Sequence, residues 1–270
     1  MPLIDLHAHT NHSDGTNTPS EVVLYYKKAG IKLMSITDHD TLTAYKEASQ
    51  KALQLGISFV NGVEISAKEN DHLHFLGFNI DPENKEIQEF LAYNRAQRTE
   101  RIKIIIKKLQ QTGIDIQEQD VFALVKNVVS RAHIADALKK KRIVPTRQEA
   151  FRKYLVQGKA GYVPPRGVSA VEIIKIIRKA GGLAFIAHPG IVKESWDFPS
   201  WVNAGLNGIE IYYPAHSNQT KKDLFAIAQK YNLLISAGTD FHGLKSGRVC
   251  KPGFDIPQET FNKLTTAFNL

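Results

Sequence analysis

Two pairs of candidate donor residues, each with a spacing of two, bracket this sequence. His7-Ala8-His9 follows the first apolar run, and Asp240-Phe241-His242 follows the last long one. In an extended strand residues i and i+2 share a face, so each pair can aim two donors at one ion. Between the pairs lie Asp14 in Ser13-Asp14-Gly15, His39 in Thr37-Asp38-His39-Asp40 and Glu64 after Gly62-Val63. His72-Leu73-His74, His188 in Ala187-His188-Pro189, and His216 after Tyr212-Tyr213 follow. Singly, each has an ordinary reading. Asp14 before a glycine is a turn residue, and Asp38 and Asp40 can cap a helix. That reading does not explain why such residues fall at the end of one apolar run after another. Six histidines (His7, His9, His39, His74, His188, His242) and three acids (Asp14, Glu64, Asp240) exceed what one ion can use. Two or three divalent ions are expected, with Glu64 bridging. Imidazole and carboxylate without thiolate suit Mn²⁺, Fe²⁺ or Zn²⁺, and multi-metal sites of this kind perform hydrolytic displacement at phosphorus.

The elements that must position these residues alternate. Short apolar runs at Leu3–Leu6, Leu33–Thr37, Ile57–Ile65, Leu73–Ile80, Leu183–Ala187, Gly208–Tyr212 and Leu233–Ala237 read as seven strands. Helical stretches separate most of them. One opens at Thr18-Pro19-Ser20-Glu21, where Pro inside the start and Glu in the first turn are favourable. Others run from about Leu42 to Leu55 and from Asn218 to Tyr231. Alternating βα units predict a parallel sheet or a barrel whose strand C-termini form the catalytic rim, and seven strands favour closure. Residues 81–165 have another texture, with helical periods over Glu86–Gln110, Gln119–Lys126, Arg131–Lys140 and Arg147–Leu155. They read as a helical insertion covering the active site, within a barrel of residues 1–80 and 166–270.

Composition narrows the surroundings. The 270 residues carry a formal net charge of +8 and ten histidines but the single cysteine Cys250, which excludes a disulfide framework and a thiolate cage. Asp5 interrupts the first apolar run, so no signal peptide is expected. No stretch reaches the roughly 18 uncharged apolar residues of a membrane span. A cytoplasmic protein with no obligate protein partner and an anionic ligand is the expectation.

Taken together, His7-Ala8-His9-Thr10 with Ser13-Asp14-Gly15, Thr37-Asp38-His39-Asp40-Thr41, Gly62-Val63-Glu64-Ile65-Ser66, His74-Phe75-Leu76-Gly77, Ala187-His188-Pro189-Gly190 and Asp240-Phe241-His242-Gly243 resemble the PHP (polymerase and histidinol phosphatase) family of metal-dependent phosphoesterases. The resemblance spans essentially the whole chain. It implies an α/β fold, a distorted seven-stranded (β/α)7 TIM-like barrel, with a trinuclear site at its rim, Mn²⁺ being the first ion to expect. His7, His9, Glu64 and Asp240 would hold one ion; Glu64, His74 and His188 a second; Asp14, His39 and His242 a third. Ser130-Arg131-Ala132-His133, Gly161-Tyr162-Val163-Pro164 and Glu210-Ile211-Tyr212-Tyr213 are similar to the nucleotidase branch of that family. In that branch the 3′-phosphate is removed from nucleoside 3′,5′-bisphosphates, adenosine 3′,5′-bisphosphate among them, and some members trim short RNA 5′→3′. Arg131, His133 and His216 would approach substrate phosphate, and Arg suits a non-transferred phosphate because its planar fork binds two oxygens.

Two other readings are open on sequence. A histidinol-phosphatase-like monoesterase would share the metal ligands but have no need of the insertion. A nucleic-acid-binding module with structural metals would rest on the basic stretch Arg95–Lys108 and on Lys139-Lys140-Lys141-Arg142. No aromatic series is interleaved with those bases, and a solvated helix face explains them. The loop Leu244–Arg248 is likewise read as solvated, with Lys245 and Arg248 as alternative anion contacts.

Overall fold

The computed structural model describes residues 1–248 and 251–270. Cys250 lies outside the described residues. The chain folds as β1 (Leu3–Asp5), α1 (Pro19–Ala29), β2 (Leu33–Ile36), α2 (Tyr45–Leu55), β3 (Ser58–Ser66) and β4 (His74–Phe78). A helical stretch follows: α3 (Lys85–Gln111), α4 (Glu118–Phe122), α5 (Arg131–Lys140), α6 (Arg147–Ala150) and a π-helical turn over Phe151–Leu155. Then come α7 (Ala170–Lys179), β5 (Leu183–Ile186), α8 (Phe198–Asn203), β6 (Gly208–Tyr212), α9 (Asn218–Tyr231), β7 (Leu234–Ala237), β8 (Phe254–Asp255) and α10 (Gln258–Phe268).

Local chemistry sets the helix ends. At α1 the Thr18 side chain accepts from the Glu21 amide while Glu21 reaches back to the Thr18 amide, and Gly30 closes the helix at φ 85°. Helix α2 starts at Tyr45, three residues later than its period predicts, because Thr41 and Thr43 hold a turn ahead of it.

Among the described residues the sheet has eight strands in the order β7-β6-β5-β4-β3-β2-β1-β8, one more than the seven read from sequence. The extra strand is the two-residue β8, antiparallel to the N-terminal half of β1 through Leu3↔Asp255 and Ile4↔Phe254. Just beyond it the Leu6 amide donates to the Ala237 carbonyl at 2.8 Å, and a parallel bridge joins Ala8 to Phe241. The ends of β1 and β7 therefore meet, and the sheet is nearly closed. A second correction concerns direction. Strand β4 runs antiparallel to both β3 and β5. Its N-terminal residue, His74, thus sits at the rim where its neighbours present their C-termini.

An apolar cluster that includes Ile4, Leu6, Leu76, Phe78, Phe185 and Ala237 draws on β1, β4, β5 and β7. Another, with Ile102, Ile105, Leu109, Ile134 and Leu138, is drawn wholly from residues 102–163, so the helical stretch buries apolar surface of its own. Among the described residues no helix is long and apolar enough to cross a membrane.

Candidate metal centre and its cleft

The closure of the sheet brings the two bracketing pairs together. Backbone bonds His9 N to Phe241 O (2.7 Å) and Phe241 N to His7 O (3.2 Å) set His7 and His9 beside Asp240 and His242. The approach is close enough that a Cβ at Gly238 would collide with the His7 side chain and Glu210. Glu64, buried on β3, is the hub. Its Oε1 lies 3.3 Å from His7 Nε2, 2.8 Å from His74 Nδ1 and 3.2 Å from His188 Nε2. Its Oε2 lies 3.1 Å from His9 Nε2 and 3.2 Å from His39 Nδ1. Asp240 Oδ1 stands 3.5 Å from His7 Nε2 and 3.2 Å from His9 Nε2, and Asp14 Oδ1 stands 3.4 Å from His242 Nε2.

Three donor sets follow from these positions, with ligand atoms within 4.8 Å of one another: His7, His9, Glu64 and Asp240; Glu64, His74 and His188; and His9, Asp14 and His242. The first two coincide with the sets implied by the family resemblance. In the third, His9 occupies the place given there to His39, whose Nδ1 turns to Glu64.

The donor atoms suit cations. His7 Nε2, His9 Nε2, Asp14 Oδ1 and His39 Nδ1 are buried and make no aligned hydrogen bond, although each lies near an oppositely polar atom. A buried polar atom without a partner costs about 1–3 kcal/mol, and four lone pairs turned into one volume are best satisfied by a positive ion. Protonation shows the same imbalance. Burial alone would lower the imidazoles, yet Glu210, Glu64 and Asp240 hold His7 well above its ordinary value, and Asp240 and Glu64 lift His9 to about 10. Burial and the nearby Arg98 push His39 well below. Burial would raise Glu64, but His74, His39 and His7 draw it well below the carboxylate range. Protons on imidazole do here what a divalent ion does better, since a ligating imidazole must be neutral.

Further polar residues fix the donors. His7 Nδ1 faces Glu210 Oε1 at 3.1 Å, which leaves Nε2 turned to the cluster, and Glu210 Oε2 also accepts the His188 amide at 2.7 Å. His242 Nδ1 donates to the Asp240 carbonyl at 2.7 Å, turning its Nε2 toward Asp14. Asp38 accepts from the Thr10 amide, the Thr10 hydroxyl and the Ser13 hydroxyl, tying down the loop that carries Asp14. His188 (φ 32°) and Asp240 (φ 53°) occupy left-handed backbone, as does Asp40 (φ 50°) beside His39. Strain of this kind persists where the surroundings over-determine it.

The cluster forms the floor of a cleft whose wall carries Arg131, expected near phosphate from the family resemblance, together with Arg98 and Arg101, which belong to the basic stretch explained on sequence as a solvated helix face. Arg98 Nε donates to Asp40 Oδ2 at 2.7 Å and its Nη2 to Ser66 Oγ at 2.8 Å. Arg101 Nη2 donates to Asp71 Oδ1 at 2.5 Å and to the Val163 carbonyl at 2.6 Å. Arg131 Nη1 lies 3.3 Å from Asp71 Oδ2, with its guanidinium 5.7 Å from the Phe151 ring. All three line the cleft together with His39, Glu64, His74 and His188. His133 and His216 are not among the lining residues. His133 Nδ1 accepts the Ser130 amide at 3.0 Å in the cap of α5. His216 Nε2 accepts the Gly190 amide at 3.0 Å while its Nδ1 donates to the Ile211 carbonyl at 2.8 Å. His216 thus uses its two ring nitrogens to tie the turn after His188 to β6. Glu210, Arg98 and Arg101 are not singled out by the sequence as site residues, and Arg248, read there as part of a solvated loop with an alternative role as an anion contact, lines the cleft. For the first three the signal is position: Glu210 is the charged residue inside the apolar run Gly208–Tyr212, and Arg98 and Arg101 share a helix face with Asn94.

Comparison with known proteins places this geometry. The PHP domain matches residues 5–161. A 3′,5′-nucleoside bisphosphate phosphatase from Chromobacterium violaceum is 34% identical, covering 92% of this chain and 90% of its own. A 5′-3′ exoribonuclease from Haemophilus influenzae is 33% identical over 88% of this chain and 89% of its own. Among solved structures, an amidohydrolase from Chromobacterium violaceum with bound sulfate and no metal superposes with a TM-score of 0.87. It is 32% identical and covers 97% of this chain and 96% of its own.

Proposed function

This chain belongs to the PHP domain family and is a metal-dependent phosphoesterase, and we propose that it removes the 3′-phosphate of nucleoside 3′,5′-bisphosphates and trims short RNA from the 5′ end. One observation carries the reading: a single cleft joins the donor cluster on its floor to Arg98, Arg101 and Arg131 on its wall. A substrate with one phosphate over the floor would place a second against the wall. A bisphosphorylated nucleoside and the 5′ end of an oligoribonucleotide both present that phosphate–sugar–phosphate unit. The relatives named as a bisphosphate phosphatase and as a 5′-3′ exoribonuclease support the same pair of substrates.

In this proposal residues 81–165 are the insertion that covers the cleft of a barrel made of residues 1–80 and 166–270. His7, His9, Glu64 and Asp240 would hold one divalent ion, Glu64, His74 and His188 a second, and His9, Asp14 and His242 a third. Mn²⁺ is the first to test, with Fe²⁺ and Zn²⁺ next. Bound ions supply charge against the developing phosphorane and a water acidic enough to attack near neutral pH. The chain does the rest. Glu210 keeps the His7 proton on Nδ1, so that Nε2 is free to ligate. Arg131 and Arg101, fixed on the two oxygens of Asp71, orient the phosphate that is not cleaved. The insertion limits entry of bulk water.

The test is phosphate release from adenosine 3′,5′-bisphosphate, adenosine 3′-monophosphate and histidinol phosphate by protein of measured metal content. Preference for the bisphosphate is expected, together with shortening of a 5′-phosphorylated oligoribonucleotide. A fully loaded protein that leaves the bisphosphate intact would end this reading, and a preference for histidinol phosphate would replace it with the monoesterase.

A further inference from the structure

Asp240 uses its two oxygens differently. Oδ1 faces His7 and His9, whereas Oδ2 accepts from Arg248 Nη1 at 2.6 Å and from the Tyr213 hydroxyl at 3.3 Å. Arg248 Nη1 also lies 3.1 Å from His242 Nδ1. A permanent positive charge therefore leans on two donor residues of a cluster suited to cations, and like charges at such distances oppose one another. A charge that only weakened the site would be a liability, so its second property matters. The Arg248 side chain is 52% exposed, against 13–17% for Arg98, Arg101 and Arg131, and it lines the same cleft. It is the cleft arginine that an anion arriving from solvent can meet without displacing a buried contact. Its backbone is braced: the Arg248 amide donates to Ser246 Oγ at 3.2 Å, Ser246 Oγ to the Gly243 carbonyl at 2.7 Å, and Gln148 Nε2 to the Gly247 carbonyl at 2.9 Å.

We propose that Arg248 is a specificity-determining residue with two opposed effects: it weakens cation binding while the cleft lacks an anion, and it contacts the phosphate over the cluster when one enters. Metal affinity and phosphate affinity are then coupled through one guanidinium. A phosphate shared with Arg248 draws the positive charge off Asp240, and the donor cluster becomes a stronger cation site when substrate is present. The inference rests on the cluster being the metal centre, as in the proposed function, and not on which nucleotide is cleaved.

The experiment uses the intact chain as wild type, Arg248→Gln and Arg248→Lys. Mn²⁺ is titrated calorimetrically into metal-stripped protein, then inorganic phosphate into metal-loaded protein. Arg248→Gln is expected to bind Mn²⁺ roughly three- to tenfold more tightly, because a like charge has gone. It should bind phosphate roughly tenfold more weakly, the scale of one charge-assisted hydrogen bond. Arg248→Lys keeps the charge and should retain wild-type Mn²⁺ affinity, with phosphate weakened by less than in the Gln variant. Weaker binding of both ligands by Arg248→Gln would reveal a merely structural brace and overturn the proposal, as would no change in either titration. If the Gln variant does not fold, Mn²⁺ binding by Arg248→Lys away from wild type overturns it equally. Turnover of the bisphosphate is not read, so failure of that substrate assignment leaves this test intact.

Discussion

The floor and the wall of the cleft are both lined with charged side chains, and they differ in how those charges are satisfied. On the floor, Glu64, Asp240 and Asp14 face imidazole nitrogens at 2.8–3.7 Å, and several buried atoms have no aligned partner. On the wall each arginine is already paired: Arg98 with Asp40, and Arg101 and Arg131 with Asp71. The floor is incomplete without cations. The wall is complete, and its three guanidiniums against two carboxylates leave a surplus positive charge held in fixed positions. Incompleteness selects an ion, and a satisfied but unbalanced set selects a counter-ion that reaches it without reorganisation. The assignment of two roles to one cleft rests on this contrast.

The sharpest way to break it is at Glu64, the residue that five imidazoles approach. Glu64→Gln keeps the shape and removes the charge. It is expected to cost roughly 10³-fold in kcat/KM, the scale of several kcal/mol of charge stabilisation, and to lower the metal content measured by mass spectrometry. Loss of less than about tenfold, with full metal content, would remove Glu64 from the bridging position. On the wall the effect is smaller and of another kind. Arg131→Ala should lower kcat/KM for adenosine 3′,5′-bisphosphate by roughly 10- to 100-fold, as for a charged hydrogen bond. It should leave adenosine 3′-monophosphate within about threefold, on the scale of a neutral surface change. An equal loss on both substrates would move Arg131 from selecting substrate to supporting the floor.

The same contrast explains what the sequence made legible. Floor residues were readable because they come as short motifs at strand ends, where His7 with His9 and Asp240 with His242 share a face by period alone. Their partition was not, since whether His9 or His39 joins Asp14 depends on a ring rotation that no spacing encodes. The direction of β4 could have been read. Only seven residues separate Ser66 from His74, too few for the dozen or more that a parallel crossover needs. Strand β8 had no signal, being two residues long and held by β1. The arginines of α3 were hidden in a run of bases. Arg98 and Arg101 face the rim with Asn94, while the neighbouring lysines carry the same charge to solvent, and composition does not separate them.

Protonation offers a milder test of the floor. In metal-stripped protein His9 has a folded value of about 10 against an ordinary 6.5, and His7 is raised in the same direction. A raised imidazole contributes stability that is fully present below pH 6.5 and lost as pH rises through about 10. His39, His74 and His242 are lowered, so they are neutral in both folded and unfolded chains above pH 7 and add no slope there. Between pH 7 and 10 the stripped protein should therefore lose Tm progressively, and the metal-loaded protein, whose ions have displaced those protons, should lose less. Parallel Tm curves for the two forms would mean that His7 and His9 are not charged without metal.

The smallest expected effect separates two faces of one helix. Lys103 on α3 is 43% exposed and pairs with Glu100 at 3.2 Å, and Lys107 is exposed; neither lines the cleft that Arg98 and Arg101 line. A surface pair of this sort is worth about 0–1 kcal/mol. Lys103→Ala and Lys107→Ala together should leave bisphosphate turnover within about twofold at moderate salt, because screening removes their field over roughly 10 Å. Arg101→Ala, two positions before Lys103, should raise KM for the bisphosphate by roughly tenfold, since it leaves Asp71 holding Arg131 alone. If the lysine pair proved as damaging as Arg101→Ala, the net basic charge of α3 would be attracting substrate, and the wall would act as a diffuse field instead of a set of placed guanidiniums.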